Sequence, residues 1–200
     1  MSSMNDNNEI TALLVGIPQS TNALGQSAAP VTLAYFADLQ CPYCRDFSLE
    51  VLPSIIERWV GAGKLRIESH ALQAATRDPE VFVAQQVAAL AAGRQELAWH
   101  FIETFYAEQG EENSGYVTDA YLQGIANQVT GLDLARWASD RRDPGLANEI
   151  TGDARAAENA GLAGTPSFLI GASGDTMSGF SPSDPTSFDT AIEELLKGTE

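Results

Sequence analysis

The segment from Val31 to Phe47 reads VTLAYFADLQCPYCRDF and contains both cysteines of the chain. Its first part, Val31 to Phe36, is rich in β-branched and aromatic residues, a composition typical of a buried strand. Cys41 and Cys44 follow shortly after this strand. The segment therefore predicts a strand that leads directly into a pair of cysteines.

A helix is predicted to begin at Cys41 and to end at Gly61 and Gly63. Its apolar residues recur at three- and four-residue spacing, as in a helix that packs on a sheet. They are Phe47, Val51, Leu52, Ile55, Ile56, Trp59 and Val60. Pro53 removes one backbone hydrogen bond inside this helix and predicts a bend near residues 49–53.

The rest of the chain predicts more strands around a helical block. Leu65–Leu72 is a second strand, and a strand–helix–strand order with a connection of this length implies parallel pairing. Ala-rich periodic stretches separated by glycines or Pro144 predict five helices. These are Pro79–Ala92, Gln95–Ala107, Thr118–Val129, Leu132–Ser139 and Gly145–Asn159. We expect Trp99, Phe101, Phe105 and Tyr106 to form the core of this block.

Both ends of the chain are predicted to complete the sheet. Ser167–Ile170 is a strand, Thr176–Phe180 its hairpin partner, and Ser187–Lys197 a closing helix. Ala12–Gly25 predicts an edge strand or hairpin around Gly16 and Pro18. The predicted fold class is α/β, a central mixed sheet flanked by helices and interrupted by an all-helical domain. We divide the chain into an N-terminal extension (1–27), the sheet domain (28–75 and 160–200) and the helical insertion (76–159).

The composition limits the classes of partner. The formal net charge of −16 disfavours nucleic acid and anionic membrane surfaces, because both would be repelled. No stretch of about 18 apolar residues occurs, and the first residues lack the basic and apolar regions of an export signal. We expect a monomer and leave open whether a signal or anchor has been removed from this chain.

The spacing of the two cysteines favours chemistry over scaffolding. A bond between residues three apart closes a small loop and removes little entropy from the unfolded chain. Unpaired N–H groups and the macrodipole at a helix N-terminus favour a thiolate at Cys41. One turn later, Cys44 is the expected resolving thiol. Pro42 suits the first helical position, and we expect Tyr43 to lie exposed beside Cys41 and to tune it.

Two other uses of a Cys-x-x-Cys pair are less favoured. A zinc site needs two more ligands, and the histidines of the chain, His70 and His100, have no ligand-type spacing. Haem attachment needs a histidine directly after the second cysteine, where this chain has Arg45. Thr165-Pro166 precedes a strand that should neighbour the cysteine-bearing one, and we expect its peptide bond to be cis.

These motifs together resemble the DsbA family of disulfide oxidoreductases, over about residues 28–198. The similarity rests on Phe36 to Phe47 (FADLQCPYCRDF), on Leu52-Pro53, and on Gly161 to Phe168 (GLAGTPSF). The resemblance implies a thioredoxin-like fold with an inserted helical domain and exchange through a mixed disulfide at the first cysteine. By this resemblance Cys41 and Cys44 are catalytic, and Thr165 with cis-Pro166 lines the groove for an extended client peptide.

The resemblance also implies a setting and partners. Clients would be proteins with cysteine thiols or disulfides, and a redox partner would regenerate the active-site pair. The expected location is extracytoplasmic (periplasmic, cell-envelope or secreted), with the cytoplasm as the alternative. We expect no metal and no organic cofactor beyond the Cys41–Cys44 disulfide itself.

One position departs from the family pattern. Many relatives carry an acidic residue six positions before the first cysteine, where it serves the proton transfer of the resolving thiol; here that residue is Tyr35. Asp38, Asp46 and Glu68 are the candidate proton relays, and each also has an interpretation as a solvated or helix-terminal charge.

Three functions remain in competition. The preferred one is a thiol oxidase that introduces disulfides into client proteins. The same fold and chemistry would serve a disulfide reductase or a glutathione-linked transferase, which differ in the stability of the thiolate. The third candidate belongs to a different class. It is a peptide-binding or chaperone-like module with vestigial cysteines, which would bind client peptides in the groove without catalysing thiol exchange.

Overall fold

The strands of the computed structural model, which describes residues 3–182 and 184–198, form one sheet. They are β1 (Gln19–Ser20), β2 (Ala23–Leu24), β3 (Val31–Ala37), β4 (Leu65–Ala71), β5 (Ser167–Ala172) and β6 (Ser178–Phe180). Their order across the sheet is β1–β2–β4–β3–β5–β6. β3 runs parallel to β4 and antiparallel to β5, so the sheet is mixed and the predicted parallel pair is confirmed.

The helices of the described part flank this sheet. They are α1 (Ser3–Leu14), α2 (residues 42–60), α3 (Pro79–Gly93), α4 (Ala98–Ala107), α5 (Asp119–Gln128), α6 (Leu134–Asp140), α7 (Pro144–Asn159) and α8 (Thr186–Lys197). α3 to α7 lie between β4 and β5 in the chain, which confirms the helical insertion. Its expected core is confirmed too, because Trp99, Phe101, Phe105 and Tyr106 are fully buried.

α2 is wound in two ways. Pro42–Asp46 and Leu52–Ile55 have α-helical hydrogen bonds, whereas Phe47–Val51 and Ile56–Val60 are π-helical. The first π segment directly precedes Leu52-Pro53. Proline cannot donate a hydrogen bond, and π turns are common where the regular ladder is interrupted. The change in winding falls where a bend is expected, and the bend itself stays a prediction.

β3 holds the sheet together because both of its faces are covered. Leu33 and Tyr35 point to the face that α2 covers, and Ala34 and Phe36 pack with Ala157 of α7 on the other. Every residue of β3 except Thr32 is buried. This burial explains why the strand is almost continuously apolar instead of alternating.

The N-terminal region differs from the prediction. A hairpin does add to the sheet edge, with β2 antiparallel to β4, but its turn lies at Thr21 (φ 51°) and not at Gly16 or Pro18. The segment from Ala12 to Leu14 belongs to α1, which was not predicted. The sequence of α1 is mostly polar, and the described part of it buries little beyond Ile10 and Leu14, so its apolar stripe is too sparse to recognise.

α4 begins three residues later than predicted from Gln95. Glu96 has a positive φ of 61°, which ends helical geometry between α3 and α4. Gly93 closes α3 against the hairpin, since a Cβ at this position would lie 2.2 Å from the carbonyl oxygen of Thr21. Contact between distant segments therefore decides this helix boundary, and a local pattern does not reveal it.

The carboxylate of Asp38 anchors the turn between β3 and the cysteines. It is fully buried, and its Oδ2 accepts hydrogen bonds from the amides of Ala74, Ala75 and Thr76 at 2.8–3.1 Å. Its Oδ1 accepts the Thr76 hydroxyl at 2.6 Å and the Gln85 side chain at 3.0 Å. A buried charge is tolerated when it is hydrogen-bonded this completely, so Asp38 ties the active-site turn to the loop after β4.

We predict that Asp38→Ala lowers the free energy of unfolding by about 3 kcal/mol or more, because it leaves several buried donors without an acceptor. Chemical denaturation monitored by tryptophan fluorescence measures this change. Asp46→Ala is the control, because the Asp46 side chain is 55% exposed and its removal should change stability by less than about 0.5 kcal/mol. Equal effects of the two substitutions would contradict the anchoring role.

Candidate active site

The two cysteines occupy the start of α2. Cys41 is the N-cap, with extended backbone (φ −72°, ψ 120°), and its N–H donates to the Asp38 carbonyl at 2.9 Å. Pro42 is the first helical residue, as its fixed φ favours. Tyr43 is 72% exposed, whereas only 3% of Cys41 and none of Cys44 is exposed. Both cysteines are free thiols in this structure.

The surroundings of Cys41 stabilise its thiolate. The thiol of Cys44 donates a hydrogen bond to it, the largest of the effects that lower the pKa of Cys41 from 9.0 to about 6. Burial opposes this shift, and the side chain of Thr165 and the amides of Cys44 and Tyr43 add to it. Backbone N–H groups of a helix N-terminus supply the last two donors. A thiol with such a pKa is mostly ionised at neutral pH and therefore nucleophilic.

Cys44 has the opposite character. Burial raises its pKa far above 9.0, and the hydrogen bond to the Cys41 thiolate and the charge of that thiolate raise it further. Cys44 therefore stays protonated, and its thiolate forms only when a nearby group takes the proton. The pair consists of one ionised sulfur and one protonated sulfur, and they share a hydrogen bond.

Strand β5 brings Thr165 and Pro166 to the cysteines. Ser167 pairs with Phe36 at the end of β3, so the two preceding residues continue alongside the turn that carries Cys41. The Cys41 sulfur lies 3.4 Å from the Thr165 carbonyl oxygen, to which its thiol donates when it is protonated. The Thr165–Pro166 peptide bond is cis. The structure thus brings Cys41, Cys44, Thr165 and Pro166 together, as the sequence predicted.

The three candidate proton relays have different positions. Asp38 is adjacent to the cysteines, but its carboxylate is occupied by the hydrogen bonds of the turn. Asp46 is exposed and forms a long ion pair with Arg45 at 3.9 Å. Glu68 pairs with Ala34 in the sheet and therefore points to the face opposite Tyr35 and Cys44.

Glu68 has its own set of partners on that face. Arg66 lies 2.9 Å from its carboxylate, and His70 lies 3.7 Å away and binds Asp153 of α7 at 2.7 Å. Hydrogen bonds from His70 and Arg66 lower the pKa of Glu68. The two carboxylates stabilise the protonated imidazole, which raises the pKa of His70 to about 9 against the effect of burial. This cluster joins α7 to β4.

Tyr35 takes part in the environment of Cys44. Its hydroxyl donates to the Cys44 carbonyl oxygen at 3.3 Å and lies 3.5 Å from the hydroxyl of Tyr106. The Tyr106 hydroxyl lies 3.4 Å from the Asp38 carbonyl oxygen. Burial raises the pKa of both tyrosines well above 10.0, and the charge of a Cys44 thiolate raises it further. Both hydroxyls therefore stay protonated beside the resolving sulfur.

The helical insertion supplies site residues that the sequence did not identify. Gln109 donates to the carbonyl oxygens of Leu39 and Cys41 at 2.7 and 3.2 Å. Arg45 reaches back to the Tyr106 carbonyl at 3.2 Å. The backbone N–H of Asn113 donates to the side-chain oxygen of Gln40 at 3.0 Å. No spacing rule connects Tyr106, Gln109 and Asn113 to the cysteines, because these three residues lie more than sixty positions away in the chain.

Glu103 of α4 is the other buried acid. It is 2% exposed and accepts a hydrogen bond from Ser48 of α2 at 2.5 Å. Burial raises the pKa of Glu103 to about 8, and the Ser48 hydrogen bond limits this increase. The sequence did not identify Glu103 as a buried residue, because an acidic residue in a helix normally lies on the surface.

The described residues contain no group of three or more His, Cys, Asp or Glu side chains arranged to hold a metal ion. Within residues 3–182 and 184–198, no helix is both long enough and apolar enough to span a membrane.

The chain matches known proteins over most of its length. A protein named "Probable disulfide bond formation protein D" from Bacillus anthracis is 24% identical over 149 residues, 74% of this chain and 68% of that protein. "Na(+)/H(+) antiporter NhaA 1" from Salinispora arenicola is 30% identical over 153 residues, 76% of this chain but 22% of the antiporter. The crystal structure of alpha-DsbA1 from Wolbachia pipientis superposes with a TM-score of 0.73 at 19% identity, covering 92% of this chain and 93% of that one.

The likeness to alpha-DsbA1 confirms the predicted thioredoxin-like fold with its helical insertion. The family model described as "Thioredoxin" matches residues 19–194, which include every strand and the site around Cys41. The chain therefore belongs to the thioredoxin family, with the fold of the DsbA-like structures.

Proposed function

We propose that this protein is a protein disulfide oxidoreductase that acts as an oxidase, transferring the Cys41–Cys44 disulfide to thiols of client proteins. The observation that carries the proposal is the contrast between the two sulfurs, a low pKa at Cys41 and a high one at Cys44. The name of the B. anthracis relative, which concerns disulfide bond formation, agrees with this activity. The exchange needs the two sulfurs and a proton carrier, and no other cofactor.

The reaction proceeds through a mixed disulfide. A client thiolate attacks Cys41 of the disulfide, the S–S bond breaks, and Cys44 leaves with the electron pair and takes up a proton. A second client thiolate then attacks the client sulfur of the mixed disulfide, and Cys41 leaves as a thiolate. The client gains a disulfide, and the protein gains the two electrons as a reduced pair.

The low pKa of Cys41 favours this direction. A sulfur whose thiolate is stable is a good leaving group, so the second step is fast. Stabilising the thiolate also stabilises the reduced protein, and this makes the disulfide form a stronger oxidant. A disulfide reductase would need a less stable thiolate at the same position.

The groove for the client would be formed by Thr165, cis-Pro166 and Tyr43. Thr165 and Pro166 are half-buried beside the Cys41 sulfur, and Tyr43 projects into solvent next to it. We infer an extracytoplasmic location, because an oxidase of this kind acts where disulfides persist. A separate oxidant would regenerate the active-site disulfide.

We predict that the reduced protein binds a proton at Cys41 with a midpoint near pH 6. Above this pH the thiolate absorbs in the ultraviolet near 240 nm, so absorbance should rise between about pH 5 and pH 7. Cys41→Ser should abolish the transition, whereas Cys44→Ala should raise its midpoint because the main hydrogen bond to the thiolate is lost. A single transition above pH 8 would contradict the stabilised thiolate.

We predict that the protein, with oxidised glutathione as terminal oxidant, catalyses disulfide formation in a reduced unfolded protein such as ribonuclease. Cys41→Ser and Cys44→Ser should each reduce the rate to that of glutathione alone. Equilibration with glutathione should give a reduction potential near or above about −220 mV. A potential near that of thioredoxin, about −270 mV, would identify a reductase instead.

The peptide-binding alternative is tested by the same variants. If the parent protein has no turnover and Cys41→Ser still protects an unfolded client from aggregation equally well, the cysteines are not used and the oxidase proposal is wrong.

A further inference from the structure

Glu103 and Asp38 are the two carboxylates buried to 2% exposure or less in the described part of the chain, and their surroundings differ. Asp38 accepts hydrogen bonds from six donors, so its charge is fully compensated. Glu103 accepts one, from Ser48, within the same residues. A carboxyl group buried with one donor takes up a proton more readily than one with six, because its charged form is poorly solvated.

The single partner of Glu103 belongs to the active-site helix. Ser48 is fully buried and follows Cys44 by four residues, one turn further along α2. Glu103 and Tyr106 are three residues apart on α4, so their side chains share one face, and a charge on Glu103 raises the pKa of Tyr106. The Tyr106 hydroxyl lies 3.5 Å from that of Tyr35, which donates to the Cys44 carbonyl oxygen and also interacts with the Cys44 thiol.

Glu103, Tyr106, Tyr35 and Cys44 therefore form one group of buried polar side chains. Tyr35, Cys44 and Tyr106 are completely buried. The Cys44 thiol consequently has no direct access to water, although it must lose a proton before it attacks and regain one after it leaves.

We propose that Glu103 is a positioning residue for thiol exchange, which takes up the Cys44 proton through the hydroxyls of Tyr106 and Tyr35. This inference rests on the proposed function of the cysteine pair. In the step concerned, Cys44 loses its proton to the Glu103 carboxylate and attacks the Cys41 sulfur of a mixed disulfide. The Cys41–Cys44 bond forms, the bond to the outer thiol breaks, and that thiol leaves as a thiolate with the electron pair.

Other charges near α4 do not offer the same route. Arg45 is exposed and bonds the Tyr106 carbonyl, and Asp46 beside it is exposed. Tyr121 of α5 is half-buried, and burial raises its pKa well above its ordinary value of 10.0, so it stays neutral. The remaining described acids on the elements that pack against α4 are exposed: Glu9, Glu50, Glu57, Glu80 and Asp119. Burial lowers the pKa of His100, which keeps this imidazole neutral.

The test follows the reaction of the reduced protein with 5,5′-dithiobis(2-nitrobenzoate) by stopped-flow absorbance. Attack by Cys41 releases one thionitrobenzoate in a phase that depends on reagent concentration. Attack by Cys44 on the resulting mixed disulfide releases a second in a phase that does not. The first phase reports Cys41 and the second reports proton removal from Cys44, so each measurement contains its own control.

We predict that the second-phase rate constant of the parent rises about tenfold per pH unit below pH 8 and levels off above it, as Glu103 becomes fully ionised. Glu103→Gln keeps the shape and the acceptor for Ser48 but cannot take a proton. It should slow the second phase at least tenfold at pH 8, remove the levelling between pH 6 and 9, and leave the first phase unchanged.

Ser48→Ala provides a second variant, because the hydrogen bond from Ser48 lowers the pKa of Glu103. Its removal should move the levelling to higher pH, a shift that a merely structural role would not produce. Tyr35→Phe should slow the second phase in the same way as Glu103→Gln. Glu149→Gln, which removes an exposed carboxyl on α7, is the matched control and should match the parent.

Two outcomes would contradict the proposals, and the experiment distinguishes them. If the parent has no second phase, the cysteines do not exchange as a pair and the proposed function is wrong. If the parent has the phase and Glu103→Gln equals it in rate and in pH dependence, the role of Glu103 is overturned while the function stands. Thermal unfolding verifies that each variant is folded. If Glu103→Gln is not folded, the pH dependence of the second phase in Ser48→Ala decides the question.

Discussion

The arrangement of the site follows from the hydrogen bonding of β3 on both of its sides. β4 pairs with it in parallel and β5 in antiparallel register, so the end of β3 and the start of β5 lie next to each other. That register brings the turn carrying Cys41 beside Thr165-Pro166, 124 positions later in the chain. A slip by one residue would exchange the two faces of β3 and bury Phe36 where Tyr35 now approaches Cys44. The chemistry of the pair thus depends on a sheet register that the buried faces enforce.

The helical insertion is part of the active site and not merely a cover for it. Gln109 holds the carbonyl groups of the turn, and Tyr106 places a hydroxyl beside Tyr35. Each of these contacts joins a residue of the insertion to one of the sheet domain. The low-pKa sulfur is stabilised mainly by the neighbouring Cys44 thiol, and the helix N-terminus and Thr165 add to this effect. The buried sulfur, in contrast, depends on groups that come from a distant part of the chain.

The sequence predicted the local features and missed the distant ones. β3, the start of α2 at Cys41 and the bounds of most helices follow from periodicity and turn residues, which act over a few positions. The neighbourhood of Thr165 was also predictable, because a strand order restricts which segments can meet. Glu103, in contrast, looks like a surface acid in its helix, and Asp38 looks like a solvated charge after a strand. The burial of both carboxylates results from tertiary packing alone. α1 was missed for a different reason, because it lacks the apolar stripe that would have identified it.

The two ends of the sheet are very short. β1 has two residues and β6 has three, whereas the strands between them that flank the cysteines have six or seven. An exposed strand edge offers unpaired N–H and C=O groups to any extended chain that meets it. Under the proposed function, the clients are unfolded polypeptides, which would add readily to a long open edge. The small outer strands therefore protect such a protein from co-aggregation with the chains it serves, and they leave the groove at Cys41 as the place where an extended segment can dock productively.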